Sequence, residues 1–348
     1  MTTVLESLNQ ALHHALEKDE RVLLIGEDIL DPYGGAFKAT RGLSERFPNR
    51  VLTTPISEAG FVGLATGMAL RGLRPVVEVM FGDFLTLAAD QLINHAAKFR
   101  WMYHDQVEVP LVIRTPMGGR RGYGPTHSQT LEKHFLGVPG LRVLAPGPVG
   151  DPGKLLLQTI LETKEPVLFI ENKLLYLLRL LEPDHDLEFE IQEFFSPSTP
   201  GDDVALVTNP APAYSLKLRG APPPVLTLAT YGYMVELARQ AVVRLAYEHE
   251  IFVEIIAPTQ LAPFDMSALT RSLEHTRRLL TVEEGTHDMG WGAEVVARCA
   301  EKLGAGLQRA GRVAALNLPV PSSGPLEAAV LPGVEQILEM GQKIVQSR

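Results

Sequence analysis

Three side chains of different chemistry stand at breaks between regular segments in the first 130 residues. Glu58 sits in Thr54-Pro55-Ile56-Ser57-Glu58-Ala59-Gly60-Phe61, where a short β-branched run turns into a glycine-punctuated helix. A carboxylate at such a junction is poised to act on a bound ring. Phe84, in Val79-Met80-Phe81-Gly82-Asp83-Phe84, offers a flat apolar surface, and His127, in Pro125-Thr126-His127-Ser128-Gln129, offers a titratable base. No metal or phosphate motif accompanies them. The ten histidines show no paired-ligand spacing. The stretch from Gly147 to Leu155 imitates a phosphate loop but has the wrong glycine spacing, with Leu155 where a hydroxyl must bind magnesium. The combination reads as half of an active site, with the other half expected from a second chain.

The elements that position them follow from hydrophobic periodicity. Leu5, Leu8, Leu12, Ala15 and Leu16 recur at helical spacing over 3–18, and 21–28 is a buried strand ending at Gly26-Glu27-Asp28. Strand 51–54, helix 60–70 and strand 75–81 make a β-α-β crossover. Strands at 109–115 and 166–171, with a helix over 154–161 between them, extend a mostly parallel sheet. In the 60–70 helix, Gly60, Gly63 and Gly67 each cost roughly 1 kcal/mol relative to alanine. Close approach of another helix across a subunit boundary, or tight packing onto the sheet, must offset that.

From 194 to 224 the pattern collapses into Pro, Ser, Gly and Asp around one strand at 204–208, which marks an interdomain linker. A second α/β unit follows, with strands at 225–230, 251–256 and 278–283 and helices at 235–247, 266–273 and 292–303. The expected fold is therefore α/β with two domains, 1–193 and 225–348, each a mostly parallel sheet flanked by helices, joined through 194–224.

Composition narrows the function classes. The 348 residues suffice for two cores, and 45% hydrophobic with 21% charged residues is ordinary for a globular protein. A formal charge of −9 offers no basic stripe for nucleic acid. Cys299 is the single cysteine, which excludes an intrachain disulfide. No apolar run reaches the ~18 residues of a membrane span, and Glu6, Glu17 and Asp19 in the first helix do not suit a targeting segment. A cytoplasmic location is expected.

Several stretches, in order, resemble the β subunit of the thiamine-diphosphate-dependent 2-oxo acid dehydrogenases, the decarboxylating component of pyruvate, branched-chain and acetoin dehydrogenase complexes. They include Gly26-Glu27-Asp28, Thr53-Thr54-Pro55-Ile56-Ser57-Glu58, Gly72-Leu73-Arg74-Pro75-Val76, Asp90-Gln91, Ala96-Ala97-Lys98, His127-Ser128-Gln129, Thr281-Val282-Glu283-Glu284 and Pro319-Val320-Pro321, so the likeness covers most of the chain. It implies a transketolase-like pyrimidine-binding domain followed by a transketolase C-terminal domain.

By that resemblance Glu58 hydrogen-bonds the pyrimidine N1′ of thiamine diphosphate, Phe84 stacks on the aminopyrimidine, Met80 lies near the ring, and His127 faces the substrate to assist proton transfer or reductive acylation of a lipoyl group. Phe81 is a nearby alternative to Phe84, and Arg120 and Arg121 are open between a substrate carboxylate and solvent. The Gly-Asp-Gly motif that family members use to hold magnesium and diphosphate is absent, which implies an α subunit supplying that half in an α2β2 heterotetramer, with a lipoyl acyltransferase core as further partner and a small 2-oxo acid as substrate. Thr163 stands where relatives carry an Asp near a structural potassium loop, and Leu87 where pyruvate-type members often carry a polar side chain, so the potassium site and pyruvate specificity stay open. Half of a split transketolase, a non-oxidative decarboxylase and a non-catalytic structural subunit are the alternatives.

Overall fold

A computed structural model of the chain describes residues 2–182, 186–195 and 211–346. Helix α1 (Val4–Lys18) opens the fold. Thr3 accepts from the Glu6 amide at 3.2 Å while Glu6 accepts from the Thr3 amide at 2.8 Å, a reciprocal cap, and its buried stripe of Leu8, Leu12, Ala15 and Leu16 packs on α6 (Pro152–Glu162). Between them run β1 (Val22–Gly26), α2 (Leu43–Arg46), β2 (Val51–Thr53), α3 (Glu58–Leu70), β3 (Arg74–Glu78), α4 (Leu85–Asp90), α5 (Ala97–Met102), β4 (Val112–Met117) and β5 (Arg142–Leu144). Strand β6 (Val167–Asn172) follows α6. A π-helical turn, Gln91–Ala96, joins α4 directly to α5. The extra residue in each of its turns breaks the 3.6-residue repeat, so this helical run is not evident from periodicity.

The second half comprises β7 (Phe189–Phe194), β8 (Ala213–Leu218), β9 (Leu226–Thr230), α7 (Met234–His249), β10 (Val253–Pro258), β11 (Gln260–Ala262), α8 (Ser267–Thr276), β12 (Arg278–Thr286), α9 (Trp291–Leu303), β13 (Arg309–Ala315), α10 (Gly324–Val330) and α11 (Val334–Gln346). Two sheets result. The first runs β11-β5-β6-β4-β3-β1-β2 and is parallel except for β11, which lies antiparallel on β5. The second runs β13-β12-β9-β10-β8-β7, parallel from β13 to β10 and antiparallel at β8 and β7.

The α/β expectation holds, and the expected boundaries shift. Residues 189–193 fall in the expected first domain and 194–224 in the expected linker, yet β7 pairs with β8 from Phe189↔Leu218 to Phe194↔Ala213, and both belong to the second sheet. The reason is local: Ala213–Leu218 carries a buried centre that the surrounding Pro, Ser and Gly mask in sequence. The expected strand at 204–208 lies outside the described residues. Strand β11 shows that the halves are not independent, since the second one lends an edge strand to the first one's sheet. Their apolar core is continuous from Ile25 and Phe61 to Tyr231 and Trp291.

In a parallel sheet ligands gather at the carboxyl ends of strands. Gly26 pairs with Thr53 and Glu78, and Met117 pairs with Asn172, so the segments that follow β2, β1, β3, β4 and β6 leave one edge side by side. Those segments carry Glu58, Glu27, Phe84, His127 and Lys173.

Candidate active site

Glu58 is the first residue of α3 and is buried, 3% exposed. Beside it stands Glu27, at the end of β1, also buried and accepting a hydrogen bond from the Ser57 amide. Burial pushes the Glu27 carboxyl up, and the neighbouring Glu58 carboxylate adds to the rise, against the Ser57 amide. One Glu27 oxygen, Oε1, is buried with no hydrogen-bond partner. A buried acceptor left unpaired costs ~1–3 kcal/mol, and a donor from outside the chain would relieve that cost here.

After β3 the chain turns through Gly82–Phe84, and Asp83 fastens that turn to the His127 segment: its Oδ1 accepts from Gln129 Nε2 at 2.8 Å and the Gln129 amide at 3.3 Å. The rings are thereby brought together. His127 lies 4.9 Å from Phe81 and 5.3 Å from Phe84, both edge-on, and Phe81 and Phe84 lie 5.9 Å apart. Phe81, the alternative to Phe84 in sequence, sits at the centre of this cluster and also meets Phe37 and Tyr123. Met80 is half-buried between the end of β3 and the turn. The Thr126 hydroxyl lies 3.0 Å from His127 Nδ1, which leaves Nε2 as the nitrogen open to a ligand.

The loop that delivers His127 starts at Gly118, where φ is +96° and a side chain would collide with Asn172. The second half of the chain grips it. The Gly119 amide donates to Glu284 Oε1 at 2.6 Å, and the Arg120 and Gly122 amides donate to Glu327 at 2.7 and 3.1 Å. The Arg120 side chain folds back onto Glu284 at 3.2 Å and onto the Pro332 carbonyl, so it is committed inside the chain. Arg121 is exposed and touches the Lys173 carbonyl at 3.3 Å.

Beneath the rings, one guanidinium ties three strand ends together. Arg114 on β4 grips Glu171 on β6 with two bonds of 2.9 and 2.6 Å, reaches Glu78 on β3, and Glu171 also accepts from the Tyr176 hydroxyl at 2.6 Å. Burial opposes the Arg114 charge, but Glu171 and Glu78 outweigh it and hold its pKa above the ordinary value.

Sequence reasoning singled out Glu58, Phe84 and His127, and the structure places Phe84 and His127 in contact and Glu58 on the same sheet edge. It missed Glu27, Lys173, Glu284 and Glu327 as site residues. Glu27 and Glu284 lie inside quoted motifs without a role, and Lys173 follows Glu171 and Asn172 at a polar strand end that gives no sign of its partner. Among the described residues no group of three or more His, Cys, Asp or Glu could hold a metal. The Thr163 loop does not fit a potassium ion: Arg74 donates to the Ile160 and Thr163 carbonyls at 2.6 and 2.7 Å, and the Thr163 hydroxyl is turned to the Glu165 carbonyl at 3.3 Å. A guanidinium charge already occupies those oxygens.

Two family models match the chain, Transketolase, pyrimidine binding domain over residues 1–177 and Transketolase, C-terminal domain over 221–337. Pyruvate dehydrogenase E1 component subunit beta-1, mitochondrial, of Arabidopsis thaliana is 35% identical over 346 residues, covering 98% of this chain and 88% of that protein. Acetoin:2,6-dichlorophenolindophenol oxidoreductase subunit beta of Bacillus subtilis is 35% identical over 351 residues, covering 96% and 94%. A solved structure described as split gene transketolase, inactive beta4 tetramer, shares the fold, with a TM-score of 0.74 and 17% identity over 99% of both chains. With its site at the carboxyl edge of a parallel sheet and these relatives along nearly its whole length, the chain belongs to the transketolase-like family of 2-oxo acid dehydrogenase β subunits.

Proposed function

We propose that this chain holds the aminopyrimidine end of thiamine diphosphate and, with an α partner that grips magnesium and the diphosphate, decarboxylates a 2-oxo acid and passes the acyl group to a lipoyl-lysine. The single observation that carries this reading is the buried Glu27–Glu58 pair, one oxygen of which has no partner, on the same edge as the Phe81–Phe84–His127 cluster. Those residues fit the group: two carboxyls for ring nitrogens and a flat aromatic wall. When bound, thiamine diphosphate supplies the carbon nucleophile and the electron sink that decarboxylation needs.

The chain's own residues do the rest. The Glu58 carboxyl donates a hydrogen bond to a pyrimidine nitrogen and exchanges the proton there, with Glu27 adjoining it. Phe84 and Phe81 exclude water and orient the ring, a contact worth ~0.5–1.5 kcal/mol beyond burial. His127 presents Nε2 to the substrate side. Gly60 and Gly67 on α3 face outward rather than onto the sheet, which suits the close approach of a partner helix.

The test is co-expression with a partner containing Gly-Asp-Gly. The pair is expected to bind thiamine diphosphate and to acylate lipoamide from a 2-oxo acid. Ketose transfer to a sugar phosphate without lipoamide acylation would identify a split transketolase, and the absence of any thiamine diphosphate binding would identify a structural subunit.

A further inference from the structure

Lys173 sets a cation into the wall behind the ring cluster, and nothing so far gives it a task. It follows β6 and is 0% exposed. Its ammonium donates to the His127 main-chain carbonyl at 2.5 Å and sits 5.2 Å from the Phe81 ring and 5.6 Å from the Tyr123 ring. No carboxylate lies within ion-pairing distance among the described residues; Asp83, Glu284 and Glu327 face it from farther off on the Gly82–Phe84 turn, β12 and α10, and Arg121 opposes it from the loop. A buried ammonium without a contact ion pair is costly, and such an arrangement persists where it positions something.

We infer that Lys173 is a positioning residue, whose ammonium fixes the His127 backbone against the Phe81 and Tyr123 rings so that the imidazole faces the cleft. The inference rests on the function proposed above, in which His127 serves the substrate. The geometry is specific: the lysine touches the main chain of His127 rather than its ring, and it ties β6 to a loop that follows β4. Because two aromatic faces share the ammonium, the link depends on charge as well as on an N–H donor. Burial lowers the Lys173 pKa to about 8, so the cation is present at neutral pH and is lost as pH rises through that value.

The experiment uses the complex of this chain with its α partner and three variants, Lys173→Met, Lys173→Gln and Lys173→Arg. Two readouts are taken: amide hydrogen exchange over 124–129, and kcat and KM for the 2-oxo acid against pH. Lys173→Met is expected to raise exchange in that segment at least tenfold and to lower kcat at least tenfold, with KM changed less than twofold. Lys173→Gln, which keeps a donor but no charge, should fall between Lys173→Met and the wild type in both readouts, losing part of the protection and part of kcat together. Lys173→Arg should recover most of kcat and move the alkaline limb, near pH 8 in the wild type, upward. Unchanged exchange in Lys173→Met overturns the inference, as does an unmoved alkaline limb in Lys173→Arg. If the wild-type complex turns over no 2-oxo acid, the proposed function fails, while the exchange measurement still decides the part played by Lys173.

Discussion

Replacing Glu283 by glutamine should change how the protein's stability responds to pH. Glu283, on β12, is 1% exposed and accepts from the Gly292 amide at 2.9 Å at the start of α9. Its Oε2 has no partner, and neither does Oε2 of the fully buried Glu132, whose Oε1 accepts from the Tyr231 hydroxyl at 2.6 Å. Burial, reinforced by the neighbouring Glu132 carboxylate, raises the Glu283 pKa from 4.5 to about 7. At 1.36 kcal/mol per pH unit, that interval corresponds to roughly 3 kcal/mol. The sign follows from proton binding. Below 4.5 the group is protonated whether the chain is folded or not, and its contribution is fully present. Between 4.5 and 7 the unfolded chain releases a proton that the folded chain keeps, so stability falls as pH rises, and above 7 the loss is complete. A glutamine side chain in its place would stay neutral throughout and could donate its amide toward Glu132. Urea unfolding of wild type and Glu283→Gln from pH 4.5 to 8.5 should give similar free energies at the acid end and a variant more stable by ~1–3 kcal/mol at pH 8. Profiles that run parallel across that range would refute the reasoning.

Two further outcomes concern the frame around the site. Glu327→Ala deprives the Arg120 and Gly122 amides of their acceptor and should cost ~2–4 kcal/mol, given that a hydrogen bond to a charged group contributes ~1.5–3 kcal/mol and Gly122 is exposed. Urea midpoints and amide exchange over 119–122 measure it, and a loss below ~0.5 kcal/mol would be inconsistent with the clamp. Since Arg74 holds the Ile160 and Thr163 carbonyls, melting temperatures in KCl and NaCl at equal ionic strength should coincide, and a potassium-specific rise would show that the loop does accept that ion.

Much of the frame was legible because it is local. A β-branched run ending in Pro55 and leading into a helix start placed Glu58 at a strand-to-helix junction, and the Phe84 and His127 segments each leave a buried strand. The grip on the His127 loop could not be read, because Gly119 and Glu284 are 165 residues apart and Arg120 and Glu327 are 207 apart. Lys173 was hidden for a related reason: its partner is a backbone carbonyl 46 residues away, which leaves no mark on residue type. Strand β11 belongs by sequence to the second unit and by hydrogen bonding to the first sheet, since Gln260 pairs with Leu144. Pairing across domains carries no periodic signal.

Glu58→Gln tests the central claim most directly, measured in the complex with the α partner as the rate of 2-oxo acid decarboxylation alongside thiamine diphosphate binding. The amide preserves shape but cannot exchange the proton, so assembly and cofactor binding should persist while the rate falls ~10²–10⁴-fold. A variant that decarboxylates at the wild-type rate would contradict the role assigned to this carboxyl.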